Sequence, residues 1–166
     1  MNSSAEKRYQ KDLKPPSAPP PLHIQSQPQV PWSTGLCDCC QDVGNCCLTY
    51  WCPCITFGRI ADIVDRGSSS CGSAGARYMS LWMAFGTPSV YSCSYRTKLR
   101  AQFNLQGNQC TDCLIHCFCE TCALCQEYRE LKSRGFEMEM GWHANVERQA
   151  PGTTTLPPSV TGGMSR

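Results

Sequence analysis

Apolar and polar positions alternate unevenly along this chain, and three stretches carry a readable period. After Pro53, the apolar residues Ile55, Phe57, Ile60, Ile63 and Val64 form one broad face, and a proline is tolerated in a first helical turn. The pattern predicts a helix from Pro53 that ends at the run Arg66-Gly67-Ser68-Ser69-Ser70. Arg59 and Asp62 interrupt it, leaving fewer uncharged residues than a membrane span requires. The expectation is a short helix that enters a membrane or lies at its surface.

From Tyr78 to Tyr95 an 18-residue uncharged window is bracketed by Arg77 and Arg96. That length is just within the roughly 17 to 25 residues a spanning helix needs. Gly86 and Pro88 break it, so the window predicts either a kinked or re-entrant membrane segment or a buried helix hairpin. Arg96, Lys98 and Arg100 follow, marking either the cytoplasmic side of a membrane segment or a solvated helix end. A third helix is predicted from Cys119 to Gly135, where Glu127, Glu130 and Arg134 supply helical charge spacing and Gly135 a stop. No segment alternates as a strand would. The expected fold is therefore all-α, a small Cys-rich helical membrane-associated domain.

Composition trims the ends. Residues 1–31 hold seven prolines among Ser, Gln and Lys, which reads as a disordered Pro-rich arm. Residues 150–166 have the same small, polar character and read as a disordered tail. The domain is then 32–149. A net charge of +2 and a pI near 7.9 give no basic stripe, so nucleic acid is not an expected partner.

Cysteine changes the picture most, at 15 of 166 residues. In a secreted chain that density would mean disulfides. The N-terminal MNSSAEKRYQKDLKPP lacks the apolar core of a cleavable signal, so the thiols are expected to face the cytosol, where clustered cysteines more often bind metal or react. Cys46, Cys47, Cys52 and Cys54 fall within nine residues, and Cys110, Cys113, Cys117, Cys119, Cys122 and Cys125 spell C-x2-C-x3-C-x-C-x2-C-x2-C. Thiolates are soft ligands that suit zinc, cadmium and Cu(I), so these ten are the candidate metal ligands. The competing reading packs some cysteines as small apolar residues against Trp51, Trp82 and Phe118. Cys71 and Cys93 stand apart from both groups.

Other chemistry is weaker. The pairs in CPC and CxxC could cycle between dithiol and disulfide, but no βαβ pattern accompanies them as in thioredoxin-like enzymes. His23, His116 and His143 are scattered, and neither GxSxG nor HExxH occurs, so an enzyme is not expected. Asp62, Asp65, Glu120 and Glu127 could line a cation path, or form solvated faces, with Asp62 and Asp65 paired to Arg59 and Arg66.

CCLTYWCPC has the form CCxxxxCPC and, with TFGRIADIVDRG, resembles the signature of the plant cadmium resistance proteins. These belong to the placenta-specific-gene-eight family, which includes the fruit-weight cell-number regulators. The run from Tyr95 to Phe136 is similar to that family's second block. The resemblance implies a plasma-membrane protein, a homo-oligomer, that mediates resistance to or transport of divalent metal ions. It implies Cys46, Cys47, Cys52, Pro53 and Cys54 as the motif on which metal tolerance depends. No cofactor is required, and zinc or cadmium would be held by thiolates. The alternative is a zinc-clasped interaction module that regulates cell number and is not itself a transporter.

Overall fold

The computed structural model describes residues 28–149, so the arm up to residue 27 and the tail from 150 lie outside it. Within these residues a 3-10 turn, Asp38–Asp42, leads into six α-helices: α1 (Val43–Trp51), α2 (Pro53–Val64), α3 (Cys71–Phe85), α4 (Ser89–Phe103), α5 (Gln109–Ser133) and α6 (Gly141–Gln149). The sole β feature among them is a bridge between Val30 and Leu105.

Each helix end has a local cause. Asp42 caps α1 by accepting from the Asn45 N–H at 3.0 Å, satisfying one of the free donors of the first turn. Pro53 sits in the first turn of α2. Its ring disfavours helical geometry in the residue before it, and Cys52 takes φ −137° and ψ 65°. α1 and α2 are thus one helical path broken at Cys52. α5 breaks with nearly the same backbone angles, though with no proline after the break: Cys119 sits inside it with φ −147° and ψ 65°.

The two breaks superpose in sequence as well. Counting from the breaking cysteine, Thr49 matches His116, Trp51 matches Phe118, Phe57 matches Leu124, Ile60 matches Glu127 and Val64 matches Leu131. Burial follows the match: Trp51 and Phe118 are 79% and 86% exposed, and all the others are at most 1% exposed. Two broken helices of one design frame the core.

α2 supplies the centre of that core. Phe57 stacks on Tyr78 of α3 at 4.9 Å between centroids and meets Tyr91 and Tyr95 of α4. Ile60, Ile63, Leu99, Leu105, Leu124 and Leu131 close around it. Burying a side chain of this size contributes roughly 1.5 to 3 kcal/mol. Residues 28–36 strap the outside: Val30 bonds to Asn104 and Gln106, the Ser33 N–H donates to Glu130 at 2.7 Å, and Arg129 donates to the Gly35 carbonyl at 2.9 Å.

The uncharged window does not form one span. It divides into α3 and α4 at Gly86, which caps α3 in a left-handed conformation, and Pro88 precedes α4. Among the described residues no helix is long and apolar enough to cross a membrane, which corrects the expectation of a transmembrane helix. A glycine confers no side-chain bulk and readily takes positive φ, and Pro88 fits just ahead of a helix start. The same two residues that weakened the window turn it into a hairpin.

The basic run also has a different role. Arg96 is buried and held by Asp112, Glu127 and Gln126, Arg100 pairs with Asp112 at 2.8 Å, and Lys98 pairs with Asp65 at 2.9 Å. Arg96 and Arg100 are thus drawn into the α4–α5 packing, and Lys98 alone of the three stays exposed.

Candidate functional site

The CCxxxxCPC segment spans the break between α1 and α2. Cys46, Cys52 and Cys54 are half-buried and Cys47 is exposed, all four as free thiols. They do not point to one place. Cys46 lies with Cys39 near Cys125, whose thiol burial pushes up to about 11, against a hydrogen bond to Thr49 that lowers it. Cys54 faces α3 instead.

Two glycines bring α2 and α3 together at that point. A Cβ on Gly58 would collide with the Cys71 carbonyl, and one on Gly75 would lie 2.7 Å from the Cys54 carbonyl. Cys54 and Cys71 consequently line one hollow of about 240 Å³ with Ile55, Met79 and the backbone of Gly72 and Gly75. The Cys71 thiol is pushed up by burial; Arg59 acts the other way, and Asp62 and Cys54 add to the rise. A second hollow of about 300 Å³ continues past Cys71 to Arg59, Asp62, Met138 and Met140. Soft sulfur donors therefore border both sides of Cys71.

The 110 to 125 block is dispersed rather than convergent. Cys110 and Cys117 are exposed, and Cys119 and Cys122 are joined to each other as a disulfide, so in this form neither offers a thiolate. Cys113 reaches across to α4, where its Sγ lies 2.6 Å from that of Cys93. Burial, with the contact to Cys113, pushes the Cys93 thiol up to about 12. Among the described residues no three or more His, Cys, Asp or Glu side chains form a group that could hold a metal ion.

Sequence alone left Cys71 and Cys93 isolated because their partners are distant in the chain: Cys71 meets Cys54, and Cys93 meets Cys113, 20 residues away. Cys71 precedes the uncharged window and Cys93 lies inside it, and no spacing signal announces either. In the competing reading cysteines pack against Trp51, Trp82 and Phe118, but these residues are 79%, 52% and 86% exposed. The thiols that are buried, Cys93 and Cys125, lie under helix contacts instead.

The four carboxylates that could line a cation path do not form one: Glu120 and Glu127 meet at His116, while Asp62 and Asp65 are each held elsewhere. Asp65 accepts from Lys98 and from the Tyr95 hydroxyl at 2.7 Å; burial works against ionisation, and these hydrogen bonds outweigh it and hold the carboxyl below its usual range. Asp62 packs under Gly141, where a Cβ would stand 2.6 Å from its Oδ2. Arg59, expected beside it, pairs with Glu139 at 3.6 Å. Glu120 and Glu127 clamp His116 from both sides, at 2.9 Å on Nδ1 and 2.8 Å on Nε2.

His116 is the centre of a buried polar network that no motif announced. Burial alone would lower its pKa, but the Glu127 charge and the hydrogen bonds to Glu120 and Glu127 outweigh it and push the imidazole up to about 9. Glu127 also pairs with Arg96 at 3.2 Å, and Tyr78 donates to Glu120 at 3.2 Å. Arg96 Nε is 3.3 Å from Asp112 but out of line for a hydrogen bond, and Glu127 Oε2 has no partner. These groups are spent on one another, which makes them a structural polar core in this fold.

Comparison with known proteins gives one consistent result. The family model described as the PLAC8 family matches residues 32–130. Plant cadmium resistance protein 2 of Arabidopsis thaliana is 54% identical over 147 residues, covering 87% of this chain and 97% of the relative. Plant cadmium resistance protein 1 of the same plant is 52% identical over the same shares, and cell number regulator 10 of Zea mays is 56% identical over 79% of each chain. No solved structure matches.

Proposed function

The chain belongs to the PLAC8 family, and on that premise we propose that it confers resistance to cadmium and zinc by taking these ions on the thiols of the CCxxxxCPC segment. The observation that carries this reading is the hollow shared by Cys54 and Cys71, with the Met79 thioether on its wall. Two thiolates and a thioether are soft donors, and soft cations prefer them to carboxylate or water. With only part of a coordination shell supplied, an ion is held loosely enough to be passed on. That suits a carrier better than a closed structural clasp. The role is non-enzymatic, and the cation is cargo.

A thiol must lose its proton to bind metal. Because Cys71 is pushed up by burial, cadmium uptake releases protons and weakens as pH falls. Membrane attachment belongs to the same proposal. Trp82, Met83, Phe85 and Val90 are 52 to 82% exposed, and Phe85 and Val90 line an apolar hollow of about 510 Å³ at the α3–α4 tip with Leu81, Pro88 and Tyr91. Exposed apolar clusters of this kind mark interaction surfaces, and this one fits the acyl boundary of the plasma membrane. A homo-oligomer there would complete the ligand shell that one chain leaves open.

The test is expression in cadmium-sensitive yeast, with tolerance and cell cadmium measured for Cys54→Ser and Cys71→Ser. Each substitution is expected to abolish the gain in tolerance; tolerance unchanged in both would sink the capture role. Alkaline carbonate extraction distinguishes surface docking, which releases the chain, from integral insertion, which retains it. A second reading, an interaction module acting on cell number, has in its favour the name of the Zea mays relative. It predicts that tolerance is absent from the start and that partner binding survives both Cys→Ser changes.

A further inference from the structure

Cys93 and Cys113 take no part in the Cys54–Cys71 hollow on which the capture reading rests, and as two free thiols on different helices they lie in direct contact. Cys93 lies in the first turns of α4 and is 4% exposed; Cys113 lies in the first half of α5 and is half-buried. Their Sγ atoms are 2.6 Å apart. That separation leaves no room for an ion, because two thiolates sharing a zinc at about 2.3 Å each stand about 3.8 Å from one another. It is close to the roughly 2.05 Å of a sulfur–sulfur bond.

The surroundings support the pairing. Thr97, one turn beyond Cys93, donates to Asp112 at 3.0 Å, and Arg100 donates to the same carboxylate at 2.8 Å. Ser89 donates to the His116 carbonyl at 3.2 Å on the other side. α4 and α5 are therefore held in register on both sides of the sulfur pair, and little movement separates dithiol from disulfide.

We propose that Cys93 and Cys113 form a thiol-exchange site whose substrate is a small disulfide of the glutathione class. The half-buried Cys113 is the entry point. Its thiolate attacks one sulfur of glutathione disulfide, forming a Cys113–glutathione mixed disulfide and expelling one glutathione thiolate. Cys93 then gives up its proton and attacks Cys113 Sγ, forming the Cys93–Cys113 bond and expelling the second glutathione. The protein dithiol loses two electrons and two protons, and one glutathione disulfide becomes two glutathione thiols. The product ties α4 to α5 beside the Arg96 network. The site works independently of Cys54 and Cys71, so its failure would leave the capture role untouched.

The experiment uses the full chain, folded, with glutathione disulfide as the probe. Remaining thiols are then alkylated, and the digest is mapped by mass spectrometry. The wild type is expected to yield a peptide pair linked through Cys93 and Cys113, and Cys93→Ser to stop with glutathione on Cys113. Cys93→Ala, with its helical circular dichroism compared with the wild type, guards against a folding artefact in the serine variant. The proposal is overturned if Cys113 remains a free thiol while the exposed Cys47 and Cys117 take up glutathione. Linkage of Cys113 to Cys110 or Cys117 in place of Cys93 overturns it equally.

Discussion

The two broken helices use one backbone device for opposite ends. At Cys52 the break follows from Pro53, the thiol stays free, and the buried positions around it are filled by neutral groups: Thr49 and Thr56 share a hydroxyl contact at 3.0 Å, and Phe57 and Ile60 are apolar. At Cys119 no proline follows, the sulfur is bonded to Cys122, and the matching positions hold His116 and Glu127. The first half presents free thiols on an apolar support. The second half buries a charged network and withdraws part of its sulfur.

Arg96 explains the difference. It enters from α4 against the second half, 2% exposed, and a buried guanidinium needs opposite charge beside it. Glu127 supplies that charge where the first half has Ile60, and His116 then sits where the first half has Thr49. The third contrast is Gly58, whose counterpart six residues beyond the second break is Cys125. α3 crosses over Gly58 too closely for a side chain, whereas Cys125 has room to reach Thr49.

The largest test of this contrast deletes the central side chain of the second half and trims one methylene from that of the first. Glu127→Ala removes the fully buried carboxylate shared by Arg96 and His116, leaving Arg96 only Asp112 and Gln126 and His116 only Glu120, and is expected to cost about 3 to 5 kcal/mol. Ile60→Val at the matching position is expected to cost only about 1 kcal/mol. Urea unfolding of both variants measures it, and equal losses would mean the ion network adds nothing beyond packing.

The next test is pH. The folded His116 titrates at about 9 against a reference of 6.5, so its contribution is fully present below about pH 6.5 and lost as pH rises through about 9. A shift of that size corresponds to about 3 kcal/mol. Urea midpoints in reductant should fall over this window in the wild type and far less in His116→Gln. The first half has no titrating counterpart, since Thr49 stands in its place.

A smaller effect is expected at Gly58→Ala, which pushes the new methyl into the Cys71 carbonyl and should cost about 2 kcal/mol through overpacking. Cadmium binding should weaken in the same variant as α3 moves Cys71 away from Cys54. Wild-type binding by isothermal titration in that variant would show that the helix crossing does not set the thiol spacing.

Much of the local structure was legible in the chain. Pro53 and the apolar period after it predicted α2, the glycine after Arg134 predicted the end of α5, and Gly86 and Pro88 within 78–95 already weakened a straight span. These signals are local: a missing donor, a fixed φ, a repeat of 3.6. The run of Arg96, Lys98 and Arg100 misled for the same reason. Its charge was visible, but its partners Asp112, Glu127 and Asp65 lie on other helices.

By itself, then, the sequence determined a mainly helical fold for the described residues, the breaks at Pro53 and at Gly86 and Pro88, and a density of thiols suited to soft cations; the break at Cys119 it did not announce. Tertiary structure alone decided which thiols meet: Cys54 with Cys71 through a glycine-lined crossing, Cys93 with Cys113 through the α4–α5 register, and Cys119 with Cys122 across a break. Spacing along a chain limits only what neighbours can do. Contacts between distant sulfurs depend on how closely helices approach, and that is set by the side chains, or their absence, at the crossing.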